Sequence, residues 1–438
     1  MGLHRFKINQ AFKNFCSELY GLGGNKMSLK IGCRFCGEMI SQTFVDLGVS
    51  PLANSYRTVD QLGTMEPHFP LHVYVCGQCF LVQLPSYHSS KEIFSDYAYF
   101  SSYIDALLLN AKEYTELMIK KFGIGSNHQV IEIASNDGYL LQFFLKRGIP
   151  VLGIEPAKNV AGAAIEKGIP TITEFFGREN AIKWTQEGRY ADLLIGNNVL
   201  AHVPDLNDFV AGTKIILKKD GILTMEFPHL LRLIEENQFD TIYHEHFSYF
   251  SLSTVSRVFS HHGLMVFDVD EITTHGGSLR IYACHQHANN RRISNRVHRL
   301  LSYENEKGFN ELGIYNSFQK KILRTKCDIL SFMVQAKNSD KTICAYGAPA
   351  KGNTMLNYCG IGTDFIDYTV DRSPHKQNLF LPGSQIPIYS PERIFDTRPD
   401  YLLILPWNLK DEIAGQMKSI ASWGGKFVTL IPEVRVFG

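Results

Sequence analysis

The densest concentration of acid–base chemistry in the chain is Tyr243-His244-Glu245-His246-Phe247-Ser248-Tyr249. Two histidines flank a glutamate and a tyrosine stands at each end, so the common general acid–base side chains share one short stretch. A metal site of the HExxH kind does not fit, because these histidines stand two residues apart and spacing supplies no third ligand. Two readings remain, a proton-transfer site or a histidine-rich surface loop. The second constellation is Cys33-Arg-Phe-Cys36-Gly37 with Cys76-Gly-Gln-Cys79. Each CxxC turn aims two thiolates at one centre, and two such turns complete a tetrahedral Zn2+ site with no open position, which is structural and not catalytic. Four reduced, buried thiols are the alternative. The segment between the knuckles is longer than a zinc ribbon requires, so it folds as an insert with strands near residues 44–47 and 71–75.

These groups need elements to position them. Residues 130–134 alternate Ile131 and Ile133 with Glu132 as a buried strand does; Ser135, Asn136, Asp137 and Gly138 break the pattern, and helical spacing resumes from Tyr139. Such a strand, tight turn and helix bring backbone N–H groups to a ligand, and Gly138 permits a close approach. One strand later, residues 151–155 end in Glu155, placed to grip a ribose diol. GxGxxG is absent. A pyrophosphate needs several glycines for its cradle, whereas a nucleoside donor without phosphate, such as S-adenosylmethionine, does not. A purely structural βαβ unit is the plain alternative.

The α/β alternation continues with a helix at 160–167, a strand at 169–173 and then Phe175-Phe176, where an adenine ring could stack or a core could close. Strand 192–196 runs into Asn197-Asn198, and strand 221–226 ends on Glu226. His275-Gly276-Gly277 lies between strands 265–269 and 281–284; paired glycines admit a ligand to the backbone or make a plain hairpin. A polar run at 286–296 marks a boundary before a helix over 302–337. A second α/β unit follows: strand 341–346, a small-residue turn carrying Lys351, Asn353 and Thr354, and a helix from Met355, a pattern suited to phosphate. Strand 368–372 carries Asp371, Lys376 follows, and 402–408 is a further buried strand end.

The chain has 438 residues, 45% hydrophobic and 20% charged, enough for two or three domains. Lys+Arg of 44 against Asp+Glu of 43 gives no field for nucleic acid or a membrane surface. No apolar run reaches membrane-spanning length, and residues 1–29 lack a signal peptide's core, so the expected location is cytoplasmic.

Glu132-x-Ala-Ser-Asn136-Asp137-Gly138 with Gly153-Ile-Glu155-Pro156 resembles the class I methyltransferases, and more narrowly the sugar C-methyltransferase family, which methylates carbon in nucleotide-linked 4-keto deoxysugars. The likeness runs from about Lys30 to Pro432 and takes in the two CxxC pairs, Gly48-Val-Ser-Pro-Leu-Ala-Asn54, Tyr-x-Glu-His and His275-Gly-Gly. It implies an α/β chain with an N-terminal zinc-binding domain at 30–95 after an extension at 1–29. A class I, Rossmann-like methyltransferase domain at 96–290 and a C-terminal Rossmann-like domain at 291–438 that binds the nucleotide sugar follow. S-adenosylmethionine is then the donor, held by Glu132, Asn136, Asp137, Gly138, Glu155, Phe176 and Asn198, and Cys33, Cys36, Cys76 and Cys79 hold structural zinc. The match selects Tyr243, Glu245 and His246, with His246 as base, Glu245 orienting it, and Tyr243 with Tyr99 around the keto group. His244 falls at a variable place, and Tyr97 and Tyr103 stay open beside Tyr99. His275, Gly276, Gly277, Lys351, Asn353 and Lys376 would meet the nucleotide-linked sugar. The expected state is a monomer or weak homo-oligomer. Two departures are Ala134 and Asn378, where the family has Gly. The rivals are an NAD-linked nucleotide-sugar enzyme and a non-catalytic zinc-containing binding protein.

Overall fold

The computed structural model describes residues 31–87, 101–103, 105–288 and 291–438, with the backbone alone for Tyr103, Asp105, Ala106 and His275. Tyr97, Tyr99 and residues 1–29 lie outside the described residues. The insert between the CxxC turns is antiparallel sheet, because Phe44, Val45 and Leu47 face Leu71, Val73 and Val75 in a buried core. After the hairpin β1 (Ile31–Gly32) and β2 (Met39–Ile40), β3 (Gln42–Ser50) pairs with β4 (Phe69–Val75) and β4 with β5 (Val82–Gln83).

The central domain contributes β6 (Val130–Ile133), β7 (Val151–Ile154), β8 (Thr171–Ile172), β9 (Ala191–Asn197), β10 (Leu217–Pro228), β11 (Ser248–Tyr249), β12 (Leu264–Ile272) and β13 (Ser278–His285). All but β11 form a seven-stranded sheet in the order β8-β7-β6-β9-β10-β13-β12, parallel from β8 to β10, with β13 antiparallel to both its neighbours. Helices cover both faces, so β9 reads as a continuous apolar run: Leu193 and Ile195 join the core under helix Asp105–Phe122, and Leu194 joins the opposite one. Strand order reverses between β6 and β9, which opens a crevice at their carboxyl ends. β11 leaves this sheet altogether. It pairs with β5 and completes the four-stranded sheet of the N-terminal domain.

The C-terminal sheet runs β16 (Ile388–Tyr389), β15 (Thr369–Val370), β14 (Ile343–Tyr346), β17 (Tyr401–Ile404), β18 (Lys426–Thr429) and β19 (Arg435–Phe437), parallel except for β19, with a second reversal between β14 and β17. The single helix expected over 302–337 is two, Asn295–Glu306 and Leu312–Asn338. Gly308 at φ 86 turns the chain left-handed, and the Phe309 N–H folds back to the Glu304 carbonyl at 3.0 Å. The first of the two starts early because the Ser294 side chain caps it. Asn378 adopts φ 65, the left-handed turn a glycine would otherwise supply. Among the described residues no helix is long and apolar enough to cross a membrane.

The paired glycines of the β12–β13 turn admit protein. Gly276 sits at φ 91, and a Cβ there would lie 2.2 Å from the Trp407 ring; a Cβ on Gly277 would lie 2.9 Å from Arg232 Cγ. Gly276→Ala should therefore destabilise the chain by about 2–4 kcal/mol through combined strain and overlap, read as a lower denaturant midpoint.

Candidate active site

The four cysteines converge. Their Sγ atoms lie within 4.8 Å of one another, with Cys33–Cys79 at 3.5 Å and Cys36–Cys76 at 3.6 Å. A tetrahedron with Zn–S bonds of about 2.3 Å has edges of roughly 3.8 Å, close to the two spacings just given, so the four thiols suit a zinc ion. The Gln83 amide donates to Cys33 Sγ at 3.2 Å, an outer contact that orients a thiolate ligand.

At the central crevice, Ala134, Asn136 and Gly138 all take positive φ, 56, 50 and 73, so the turn after β6 folds its backbone into a cradle. Ala134 holds by force a conformation that glycine holds at no cost. A Cβ on Gly138 would lie 2.2 Å from Ile169 Cδ1, which ties the cradle to the strand behind it. Glu155 at the end of β7 is buried and accepts from the Asn136 N–H at 3.0 Å and the Ala157 N–H at 2.9 Å. It braces the turn and keeps acceptor capacity for a ribose diol. The Glu132 carboxyl is buried, and its Oε2 has no partner among the described residues; burial pushes it well above the usual carboxylate range, with Glu155 and Asp137 adding to the rise. These groups fit a nucleoside donor carrying positive charge. Asp137 pairs with Lys167 at 3.0 Å, and Asn136 Oδ1 accepts from the Ser101 N–H at 2.9 Å. Asn198 ends β9 at φ 53. Phe176 is half-buried against Phe209 and Trp184, with ring centroids at 5.2 and 6.1 Å.

The acid–base stretch docks onto this crevice. The Phe247 N–H donates to the Ala201 carbonyl at 2.7 Å, and the His246 ring meets His202 edge-on at 4.7 Å, on the turn Leu200–His202 just after β9. Tyr243 lies over His246 at 4.0 Å. His246 Nδ1 stands 2.9 Å from the Thr241 carbonyl, so Nδ1 carries the proton and Nε2 is the basic nitrogen. This corrects the role expected for Glu245: the Thr241 carbonyl fixes the ring, while Glu245 accepts from Asn54 Nδ2 at 2.6 Å. Burial pushes Glu245 up to about 7, against the Asn54 donor, and pushes His202 down to about 4. His244 faces away, 3.3 Å from the carbonyls of Phe69 and Pro70 and edge-on to Tyr87.

The C-terminal turn closes the third side. Helix Ala350–Cys359 begins earlier than expected, which puts Lys351 in its first turn; Lys351 Nζ donates to Asn408 Oδ1 at 2.9 Å and lies 4.9 Å from the Trp407 ring centre. Trp407 Nε1 donates to Asp240 Oδ2 at 2.7 Å, beside Thr241. Burial pushes Asp240 up to about 6, opposed by Lys351, and lowers Lys351. Lys376 Nζ donates to the Ala348 carbonyl at 2.9 Å. Asn353 is not an open sugar contact: it is buried and donates to the Ala53 carbonyl at 2.6 Å, clamping two domains. Thr241 was not legible as a site residue; Asn54 and His202 left traces, in the family stretch ending Leu-Ala-Asn54 and in the His202-Val-Pro204 that follows Asn198.

Residues 33–94 match a zinc binding domain, 102–269 a methyltransferase domain and 273–432 the C-methyltransferase C-terminal domain. Over 404 residues the chain is 35% identical to the C-methyltransferase NovU of Streptomyces niveus, covering 92% of this chain and 96% of that protein. Of solved structures, the magnesium protoporphyrin IX methyltransferase of Synechocystis shares 14% identity at a TM-score of 0.33, over 42% of this chain and 83% of that one. A S-adenosylmethionine-dependent methyltransferase of Clostridium acetobutylicum shares 12% at a TM-score of 0.33, over 40% of this chain and 91% of that one. Sheet order, crevice and domain matches define a class I methyltransferase that takes S-adenosylmethionine as donor. Within that class, the chain belongs to the C-methyltransferase family that includes NovU, with its zinc-binding and C-terminal domains.

Elemental analysis should return one zinc per chain, and Cys33→Ser should lose it and lower the melting temperature, since a closed thiolate site contributes folding free energy. Ala134→Gly should raise stability by about 1 kcal/mol by relieving the left-handed strain, measured as a shift in denaturant midpoint at unchanged slope.

Proposed function

We propose that the chain methylates the carbon alpha to the ketone, C-3, of a nucleotide-linked 4-keto deoxysugar. The observation that carries this reading is the His246 ring at the carboxyl end of β9, packed against His202 and Tyr243 with its Nδ1 on the Thr241 carbonyl. A C–H beside a ketone is acidic enough for a positioned base once the developing enolate oxygen finds a donor. His246 Nε2 takes that proton, and Tyr243, with Tyr99, serves the keto oxygen. The bound donor supplies an electrophilic methyl group; Glu132 and Glu155, with the Asn136–Gly138 turn and Asn198, are the groups that would hold it. Lys351 and Lys376, at the carboxyl ends of β14 and β15, suit the charge of a nucleotide diphosphate, and Asp240 links Trp407 beside Lys351 to the stretch bearing His246. Buried acids facing the donor favour a cation and disfavour a pyrophosphate, which separates this reading from a nicotinamide-linked one.

His246→Asn should fold, bind both ligands and lose at least roughly 10² in turnover, the low end of what a general base contributes, while His244→Asn stays active. Wild type given substrate and S-adenosylhomocysteine should wash solvent deuterium into the carbon alpha to the ketone. Normal exchange in His246→Asn would assign the base to another residue.

A further inference from the structure

We propose that Asn54 is a positioning residue for methyl transfer, reaching out of the zinc-binding domain to hold the Glu245 carboxylate in the acceptor site. The inference rests on the reading of the Tyr243–His246 stretch as that site, with Glu245 acting there in its ionised form. Three features carry it. First, residues 51–57 run between the other two domains and are pinned by one of them: the Ala53 carbonyl accepts from Asn353 Nδ2 at 2.6 Å, the Tyr56 hydroxyl donates to the Ala348 carbonyl at 2.5 Å, and Arg57 and Phe380 exchange backbone hydrogen bonds at 3.0 and 2.8 Å. Asn54 is thus presented to Glu245 from a fixed backbone. Second, Glu245 is 5% exposed, and Asn54 Nδ2 is its one side-chain donor among the described residues. A buried carboxylate with a single neutral donor depends on that donor for its charge. Third, the cation on the side of the Asn54 loop, Lys376, is turned to other partners: its Nζ donates to the Ala348 carbonyl at 2.9 Å and stands 5.3 Å from the Tyr56 ring centre. Tyr56 shares the Asn54 loop, with its hydroxyl pushed up by burial against the pull of Lys376, and further by Asp371 and Glu245, and His202 packs from the β9 turn, pushed down to about 4 by burial. His244 and His246 flank Glu245 in the chain, with Tyr243 one residue further back.

Removing the donor should leave Glu245 protonated to higher pH. The profile of kcat against pH separates this from a structural link. In Asn54→Ala the acid limb should move upward by roughly one to two pH units, turnover near pH 7 should fall about tenfold or more, and affinity for S-adenosylhomocysteine should hold. Asn54→Asp, of the same size, creates no cavity and should move the limb further, because a second carboxyl then faces the first. Melting curves of both variants show that folded protein is being compared. A wild-type pH profile in both variants, alongside an impaired Glu245→Gln, would make Asn54 a mere domain link and overturn the proposal. Full activity in Glu245→Gln would instead overturn the reading of the acceptor site on which it rests.

Discussion

The structure depends on one short pairing, β11 against β5, which makes the residues just after His246 the fourth strand of the zinc-binding sheet. The pairing matters because the stretch from Ile242 to Phe247 has no regular structure of its own and cannot satisfy its backbone groups locally. It finds partners in all three domains. The Phe247 carbonyl accepts from the Leu84 N–H at 3.0 Å, the Phe247 N–H donates to Ala201, and the Ile242 carbonyl accepts from Thr354 Oγ1 at 3.0 Å. Gln83, one end of β5, also donates to Cys33 Sγ, so the metal centre and the acid–base loop share a strand. The four-cysteine module is thereby part of the frame that holds the His246 stretch.

A second constraint is electrostatic. Glu132, Glu155, Asp240 and Glu245 are all buried, and burial lifts each above its ordinary range. Carboxyls so placed resist ionisation until a cation or a donor arrives, and groups perturbed in this way cluster where ligands and protons are handled. The two on β6 and β7 face the donor crevice. The two in the stretch 240–245 face the other domains, where Lys351 and Asn54 respectively offset their cost.

Much of the frame was legible in local sequence. Glu132, Gly138 and Glu155 marked the first two strands of the central sheet because a parallel sheet covered on both faces demands apolar runs ending in ligand-bearing turns. The CxxC pairs marked their own convergence, since only a shared centre uses two such turns. Gly276 and Gly277 were visible as a point of close approach, and Trp407 and Arg232 are the side chains that come close. The broken helix at Gly308 escaped notice because helical periodicity continues on either side of it.

What the sequence by itself determined, then, is the set of chemical groups and the elements that carry them: strand ends, a four-thiolate centre, and a histidine-rich stretch. Backbone propensity and apolar spacing act over a few residues, and that is the range they report. Which of His244 and His246 faces the crevice was decided by tertiary structure, because alternate residues of an irregular stretch face opposite ways only once β5 and the Ala201 turn hold it. The partner of Glu245 was decided in the same way: Asn54 lies 191 residues away, and their contact exists only because the zinc-binding loop is threaded between two other domains.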